Sequence, residues 1–277
     1  MRILMKNRAS FTVLMCTHYK DDPYLLEKSI ESVFKNSIKP NFFILTIDGS
    51  IPELNEKVIK KISNKYPIKL NIIEKNIGLA LALNNALNLV KTEWVARADS
   101  DDINLYDRFE KQLELTNKNF DVIGTNILEI DKNGNLPKLT KDLPVRDKDI
   151  RKYLRLRNPI NHMTVFYKTK IIKSVGGYPN IYLREDYGLW AKLAKKGAVF
   201  HNIDEILVHV NGGHNLYRRR KGLKNALAES RLQLLLYQCK IKPLFLAVFH
   251  LILRTAFLLL PSIIVQKIYI NKFRNKN

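Results

Sequence analysis

The sequence predicts an α/β fold, in which a mixed, mostly parallel β-sheet is flanked by helices and followed by a helical, amphipathic extension. Two observations predict it. Short apolar runs alternate with helical patterns over the first 125 residues, and the pattern beyond residue 222 is helical to the end. Strands that alternate with helices of about 10–15 residues indicate βαβ units and a mostly parallel sheet.

Four apolar runs in the first half predict strands, and each of the first three is followed by a predicted helix. The strands are Phe11–Met15, Phe42–Ile47, Leu70–Ile73 and Trp94–Ala98. The first helix begins at Asp22-Pro23, where aspartate can cap the helix and proline suits the first helical position. The second helix is marked by Leu54, Val58 and Ile62, and the third by Leu79, Leu83 and Leu87. In such a sheet, ligands bind beyond the carboxyl ends of the strands.

The second half predicts shorter, mixed elements. They are a helix at Tyr106–Asn117, a strand at Ile127–Ile130 before a turn at Asn133-Gly134, a helix at Asp147–Leu156, a strand at Thr164–Tyr167, a corner at Gly176-Gly177 and a helix at Glu185–Lys196. Gly197 closes the last helix, as expected of a C-cap. We therefore expect one domain over residues 1–220, with halves at 1–105 and 106–220, and the extension at 221–277.

The composition excludes several classes of protein. The chain has 277 residues, of which 46% are apolar, and a net charge of +21. This is a globular balance, and no period of about 20–50 residues repeats. Cys16 and Cys239 are too few for a disulfide framework, so we expect a reducing, cytosolic protein. The basic stretch Met1–Ser10 lacks the apolar run of a signal peptide.

The excess of positive charge is concentrated in the last quarter of the chain. From His214 onward there are thirteen Lys and Arg residues and one acidic residue, Glu229. A basic segment suits nucleic acid or an anionic membrane surface. Because Leu244–Val265 is dense in Leu, Phe and Ile, a membrane surface is the better interpretation, and no nucleic-acid partner is expected.

Three alternatives remain for that apolar segment. It could span a bilayer, pack on the core or a soluble partner, or lie in the interface of an anionic leaflet. A span is disfavoured because Arg254 would lie near its centre and Pro261 interrupts it. His250 and Arg254 are four residues apart and share one helix face. This polar stripe favours the interfacial arrangement.

Polar side chains stand at the carboxyl ends of three predicted strands. Thr17-His18 follows the first strand, Asp48 the second and Asp99–Asp102 the fourth. Each cluster alone also fits a turn or a helix cap, but their convergence on one edge favours a site. Asp99 and Asp101 point the same way on an extended chain. Such acids repel each other unless a cation neutralises them, which suggests Mg²⁺ or Mn²⁺ holding a diphosphate.

Five ordered motifs resemble those of one enzyme family. They are TIDGS at 46–50, NIGLALALNNAL at 76–87, EWVARADSDDI at 93–103, GGYP at 176–179 and REDYGLWAKLAKKG at 184–197. Together they resemble glycosyltransferase family 2, and most closely its bacterial polysaccharide-assembly branch, over roughly residues 11–220. The resemblance implies the Rossmann-like GT-A fold and inverting transfer of a sugar from a nucleoside diphosphate, with a UDP-sugar as the expected donor.

The resemblance also implies roles for individual residues. At the donor it places Thr17, Asp48, Asn76, Gly78, Asp99 and Ser100, and at the metal it places Asp101 and His214. Asp186 takes the position of the catalytic base, and Glu185 beside it could raise its pKa by repulsion. His162, Glu185 and Trp190 are expected at the sugar or the acceptor, although Trp190 also fits the core-facing stripe of its helix. His209 competes with His214 as the late histidine.

Two functions from different classes follow. The first is an inverting, Mn²⁺- or Mg²⁺-dependent transferase that moves a sugar to a hydroxyl of a saccharide in bacterial surface polysaccharide synthesis. The basic, apolar extension suggests that this saccharide is lipid-linked and that the enzyme is cytoplasmic and peripheral on the inner face of the cell membrane. The alternative is a catalytically inactive nucleotide-binding scaffold attached to the membrane, which the presence of both Asp101 and Asp186 disfavours.

Overall fold

A computed structural model describes residues 8–130, 143–211 and 222–259 of the chain. The strands in these ranges are β1 Phe11–Thr17, β2 Phe42–Asp48, β3 Ile68–Ile73, β4 Trp94–Arg97, β5 Ile103–Asn104, β6 Val122–Ile130, β7 Phe166–Lys168 and β8 Phe200–Asn211. The helices are α1 Pro23–Phe34, α2 Glu53–Lys65, α3 Leu79–Leu89, α4 Arg108–Glu114, α5 Asp147–Leu154, α6 Thr169–Ser174, α7 Glu185–Lys196, α8 Leu223–Gln238 and α9 Leu244–Leu259.

The strands form one mixed, mostly parallel sheet in the order β3-β2-β1-β4-β7-β6-β8-β5, which confirms the predicted fold class. β1 lies parallel to β2 and β4, β2 lies parallel to β3, and β6 lies parallel to β8. β7 runs antiparallel between β4 and β6, and the short β5 runs antiparallel to β8. The carboxyl ends of β1, β2 and β4 therefore meet at one edge of the sheet.

The local sequence explains where the elements begin and end. β1 is buried along almost its whole length, as expected of a central strand covered on both faces. Asp22 caps α1 by accepting hydrogen bonds from the backbone N–H groups of Tyr24 and Leu25. α7 covers the residues that the sequence predicts and ends at Gly197, where φ is 88°. Glycine adopts this left-handed conformation without steric strain.

Helices on the two faces of the sheet form two apolar cores. In one core, Phe11, Trp94 and Phe166 pack with side chains of α1, α2 and α4. The other core joins side chains of α3, α5, α6, α7 and α8. Leu232 and Leu236 of α8 are fully buried in that second core. α8 follows residue 220 in the chain, yet it shares its core with residues that precede 220.

α9 packs against α8 with its polar side turned toward the body of the protein. Arg254 Nη1 donates to Glu229 Oε1 over 3.2 Å, and Lys242 Nζ lies 2.9 Å from His250 Nδ1. The stripe formed by His250 and Arg254 therefore does not supply the polar face of an interfacial helix. The opposite side is apolar and exposed, and its side chains are Leu244, Phe245, Val248, Phe249, Ile252 and Leu253.

Some expectations shift or fall outside the described ranges. α4 is shorter than the helix predicted at Tyr106–Asn117, and β8 was not predicted. The predicted turn at Asn133-Gly134, His214 and the end of the chain from residue 260 lie outside the described residues. Within the described ranges, no helix combines the length and the apolar character that crossing a bilayer requires.

Candidate active site

The first part of the site is a loop that Asp48 holds at the end of β2. Its carboxylate accepts hydrogen bonds from Ile77 N over 2.8 Å, Gly78 N over 2.9 Å and Asn76 Nδ2 over 3.1 Å. Gly49, with φ of 86°, packs so closely that an added Cβ would lie 2.8 Å from Asn76 N. The structure thus brings together Asp48, Asn76 and Gly78, three residues that the sequence predicts at the donor.

Thr17 stands at the neighbouring end of β1. It is 1% exposed, and its Oγ1 has no hydrogen-bond partner among the described residues. Buried hydroxyl groups are usually hydrogen-bonded. Thr17 therefore offers an unused donor and acceptor at the rim where the sequence places the nucleotide.

The acidic loop, which we define as Asp99 to Asp102, follows β4 at the same rim. One carboxylate oxygen from each of Asp99, Asp101 and Asp102 lies within 4.8 Å of the others. Asp102 is 3% exposed, and its Oδ2 has no hydrogen-bond partner in the described chain. Three carboxylates with an unpartnered buried oxygen fit a hard divalent cation such as Mn²⁺ or Mg²⁺, which prefers oxygen ligands.

The electrostatics of the acidic loop reflect its crowding. Asp99 forms an ion pair with the buried guanidinium of Arg97. Although Asp101 reaches solvent, desolvation of its carboxyl and repulsion from Asp99 and Asp21 raise its pKa to about 6. Burial and the same kind of repulsion raise the pKa of Asp102 well above its usual value. Arg97 alone thus does not neutralise the loop, and a bound cation would stabilise its ionised form.

Asp21 links the acidic loop to the loop after β1, and the sequence predictions missed it. Its Oδ2 accepts a hydrogen bond from Ser100 Oγ over 2.8 Å, and its Oδ1 lies 2.7 Å from His18 Nδ1. The hydrogen bond with Asp21 raises the pKa of His18. The signal in the sequence was weak, because Asp21 stands directly before the stronger capping residue Asp22. Ser100, a predicted donor residue, is therefore held by a side chain from another loop.

The second part of the site is formed by the α7 carboxylates, Glu185 and Asp186. Asp186 Oδ2 accepts a hydrogen bond from Asn158 Nδ2 over 2.6 Å, and its Oδ1 accepts one from Tyr187 N over 2.6 Å. Glu185 is 8% exposed. Burial and repulsion from Asp186 raise the pKa of Glu185 to about 7. A carboxyl group with such a pKa exchanges protons near neutral pH.

The acidic loop and the α7 carboxylates influence each other electrostatically. The charge of Asp99 raises the pKa of Glu185, and the charge of Arg97 lowers it. Coulomb interactions weaken with distance inside a protein. The effect of Asp99 on Glu185 therefore indicates that the two acidic groups lie near each other, although they are more than eighty residues apart in sequence.

Beneath this site lies a hydrogen-bonded group of aromatic side chains. Asn84 of α3 fixes the GGY corner, since its amide both donates to and accepts from the backbone of Tyr178 over 2.8 Å. Tyr178 Oη in turn lies 3.1 Å from His162 Nε2 and 3.3 Å from Tyr167 Oη. Burial lowers the pKa of His162 well below its usual value, so its imidazole is neutral.

Not every predicted site residue reaches the surface of the site. Trp190 has no exposed area, so it has no surface here for a sugar, and its ring lies 6.4 Å from that of His162. His162 is 8% exposed, and both residues support the site from below. His209 lies on β8 opposite Ile103, directly after the acidic loop. Asn211 N at the end of β8 donates a hydrogen bond to Asp102 Oδ1 over 3.1 Å, which joins β8 to that loop.

Comparison with known proteins gives a family match and close relatives. Residues 12–185 match the sequence profile of Glycosyl transferase family 2. The chain is 38% identical over 230 residues to the UDP-Gal:alpha-D-GlcNAc-diphosphoundecaprenol beta-1,3-galactosyltransferase of Escherichia coli. This alignment covers 82% of this chain and 83% of the relative. This chain is also 31% identical over 261 residues to the amylovoran biosynthesis glycosyltransferase AmsE of Erwinia amylovora. That alignment covers 94% of this chain and 97% of AmsE.

A solved structure shares the fold. The mannosyltransferase PcManGT of Pyrobaculum calidifontis, in complex with GDP-Man and Mn²⁺, superposes with a TM-score of 0.66 at 15% identity. The match covers 96% of this chain and 76% of that one. The GT-A-like architecture, which the sequence predicts, is therefore confirmed.

Proposed function

This chain belongs to glycosyltransferase family 2, and from that premise we propose that it transfers a sugar, with inversion, from a UDP-sugar to a hydroxyl of a lipid-linked saccharide in bacterial surface polysaccharide synthesis. The observation that carries the proposal is that the chain holds two acidic groups of different character. The acidic loop has three carboxylates that suit a cation, and the α7 carboxylates include a group that titrates near neutral pH.

The donor would lie along the rim formed by β1, β2 and β4. Thr17 offers a free hydroxyl to the nucleotide, and the loop held by Asp48 offers the backbone around Asn76 and Gly78. The acidic loop, with Asp101 as a ligand, would hold Mn²⁺ or Mg²⁺ on the diphosphate. When bound, that cation supplies positive charge that stabilises the leaving nucleoside diphosphate.

The acceptor would approach from the side of α7. Asp186 takes the proton of the attacking hydroxyl, whose oxygen forms a bond to the anomeric carbon as the bond from that carbon to the diphosphate oxygen breaks. A single in-line displacement of this kind inverts the anomeric configuration. Asn158 and Tyr187 N hold the Asp186 carboxylate in one orientation, which favours proton transfer because general bases act through a defined hydrogen bond.

The composition of the C-terminal helices supports two parts of the proposal, namely that the acceptor is lipid-linked and that the protein binds an anionic membrane surface. Six large apolar side chains in the described part of α9 are exposed on one side, and the chain carries thirteen Lys and Arg residues from His214 onward. Apolar area combined with basic residues suits the interface of an anionic leaflet. The name of the Escherichia coli relative specifies a diphosphoundecaprenol acceptor, and a lipid-linked substrate of this kind would be reached from the inner face of the cell membrane.

The test of the catalytic proposal is a transfer assay with the purified protein. UDP-Gal, UDP-GlcNAc and GDP-Man are each incubated with a synthetic GlcNAc-diphospholipid and Mn²⁺, and the product is analysed by mass spectrometry. We expect product with one of the UDP-sugars, with inverted linkage, and none after chelation of the metal. Donor binding without any product would favour the inactive scaffold, and product with GDP-Man alone would contradict the proposed donor class.

The test of the membrane proposal is sedimentation with vesicles. The wild type should bind vesicles that contain anionic phosphatidylglycerol, whereas Phe249→Ser should weaken binding at least tenfold. Phe42→Ser is the matched control, because Phe42 is 57% exposed and Phe249 is 59% exposed, but Phe42 lies on β2. Equal loss of binding by both variants, or none by either, would contradict docking through α9.

A further inference from the structure

A buried ionic network connects the C-terminal helices to the α7 carboxylates. At its centre is Glu229 of α8, which is 1% exposed. Its Oε2 accepts a hydrogen bond from Arg184 Nε over 2.7 Å, and its Oε1 accepts one from Arg254 Nη1 over 3.2 Å. Gln233 Nε2 also donates to Oε1 over 2.6 Å. One carboxylate thus joins α8, α9 and the residue directly before α7.

The first arm of this network ends at the α7 carboxylates. Arg184 is the N-cap residue of α7 and is followed directly by Glu185 and Asp186. Leu183, before it, has φ of 54°, a left-handed conformation that is strained for a leucine and persists only where surrounding contacts hold it. The ion pair between Arg184 and Glu229 is such a contact, and it fixes the turn from which the carboxylates project.

The second arm reaches Asp186 from the opposite direction. Arg254 Nη2 donates to the carbonyl oxygen of Leu156, two residues before Asn158, whose amide holds Asp186 Oδ2. Arg254 therefore contacts both the carboxylate that anchors α7 and the segment that carries the hydrogen-bond partner of Asp186. A lysine at this position could not contact Glu229 and Leu156 in the same way, because its ammonium lacks the two rigidly spaced, coplanar nitrogen atoms of a guanidinium.

We propose that Glu229 and Arg254 are positioning residues for the α7 carboxylates, so that α8 and α9 are part of the catalytic unit as well as a route to the membrane. The inference rests on the proposed function, in which Asp186 accepts the proton. A buried ion pair can often be replaced by apolar residues without loss of stability. Here the ionic network fixes two segments that meet at Asp186.

The experiment compares two cations of the same network, Arg254 and Lys242. Arg254→Lys keeps the charge beside Glu229 but loses the double contact, so we expect kcat for sugar transfer to fall at least tenfold while the donor KM stays within twofold. Misplacement of a catalytic group by about 1 Å can lower a rate by about a hundredfold. The control is Lys242→Met, because Lys242 is 2% exposed and donates to Gln233 Oε1 over 2.9 Å.

Thermal unfolding of both variants separates positioning from stability. Lys242→Met should lower the melting temperature about as much as Arg254→Lys and leave kcat within twofold. The inference is overturned if Arg254→Lys retains kcat, or if kcat falls in both variants in step with melting temperature. If Arg254→Lys does not fold, Arg184→Lys is measured against the same control and criteria. A wild type that transfers no sugar contradicts the proposed function instead.

Discussion

The acidic loop and the α7 carboxylates are both crowded acidic groups, but they are built in different ways. Asp99 has its ion-pair partner, Arg97, only two residues away on β4. Asp186 is held by Asn158, twenty-eight residues earlier, and Arg184 is held by Glu229, forty-five residues later. One acidic group is therefore specified by a short stretch of sequence, and the other by tertiary packing of distant helices.

The two groups also differ in what their charges require. The acidic loop gathers three carboxylates, of which Asp99 is ion-paired with Arg97, so it suits an added cation. Burial is the main cause of the raised pKa in both groups, and that pKa is about 6 for Asp101 and about 7 for Glu185. In the proposed function the acidic loop must be ionised to hold its cation, whereas a raised pKa among the α7 carboxylates suits proton transfer near pH 7.

The largest effects on kcat should come from substitutions in the acidic loop and in the α7 carboxylates, and donor binding should distinguish the two. Asp186→Asn should lower kcat by about 10²–10⁴-fold, the range for loss of a general base, and Asp101→Asn should also lower kcat strongly because it removes a ligand of the cation that stabilises the leaving group. Calorimetry with a UDP-sugar and Mn²⁺ should show lost metal-dependent binding for Asp101→Asn and unchanged binding for Asp186→Asn. If both variants bind the donor equally well, the division of roles between the two groups is wrong.

The next effect is on stability as a function of pH. The pKa of Glu185 is raised from 4.5 to about 7, so between these values the folded state holds a proton that the unfolded state has lost. The free energy of unfolding should therefore fall as pH rises from about 4.5 to about 7, by roughly 3 kcal/mol. Urea denaturation of wild type and Glu185→Gln at several pH values measures the difference.

Repeating the urea denaturation with Mn²⁺ tests how the acidic loop affects the pH dependence that Glu185 causes. Asp101 also has a raised pKa, and Mn²⁺ bound there should oppose protonation of the acidic loop. Because the charge of Asp99 contributes to the raised pKa of Glu185, Mn²⁺ in the acidic loop should reduce the difference between wild type and Glu185→Gln without abolishing it. Parallel pH curves for the two proteins would show that Glu185 ionises as freely in the folded state as in the unfolded chain.

A pair of glycines should give a smaller effect. Gly49 and Gly197 have φ of 86° and 88°, but only at Gly49 would a new Cβ meet other atoms, with Asn76 N at 2.8 Å. Both alanine variants suffer backbone strain of about 1–2 kcal/mol. Gly49→Ala should be about 1–2 kcal/mol less stable than Gly197→Ala because of this overlap, and it alone should weaken donor binding. Thermal unfolding and calorimetry measure both quantities, and equal donor affinities would argue against a nucleotide beside Asn76.

The smallest effect should come from the amide that orients Asp186. Asn158→Ala removes a 2.6 Å hydrogen bond to the carboxylate, which should lower kcat about fivefold to tenfold. Asn71→Ala is the control, because Asn71 also donates through Nδ2, to Asn85 Oδ1 over 2.9 Å, at an exposed position. A kcat for Asn158→Ala that matches the control would show that Asp186 does not depend on Asn158.

The fold was predictable largely because its signals are local. α7 matches its predicted bounds because its apolar residues keep helical spacing and Gly197 ends it. β8 was missed because polar residues interrupt its apolar pattern, and its burial depends on pairing with β6 from much earlier in the chain. The direction of the stripe formed by His250 and Arg254 could not be predicted, since spacing fixes a shared face but not the neighbour of that face.

The site divides in the same way. Asp48 and the acidic loop were predictable because polar residues after consecutive parallel strands meet at one rim. Asn158, Asp21 and Glu229 were not, because nothing in their own neighbourhoods indicates which distant side chain they contact. For Asp186 the resemblance supplied the residue, and the structure supplies the partners that orient it. His214, the predicted second metal ligand, stays a prediction.

The burial of Glu229 also affects how the end of the chain should respond to its surroundings. From His214 onward it is the sole side-chain carboxylate, and it lies beneath Arg184 and Arg254. The stretch therefore presents no acid whose ionisation could offset its lysines and arginines. Adsorption to phosphate-rich surfaces should thus weaken chiefly as ionic strength rises.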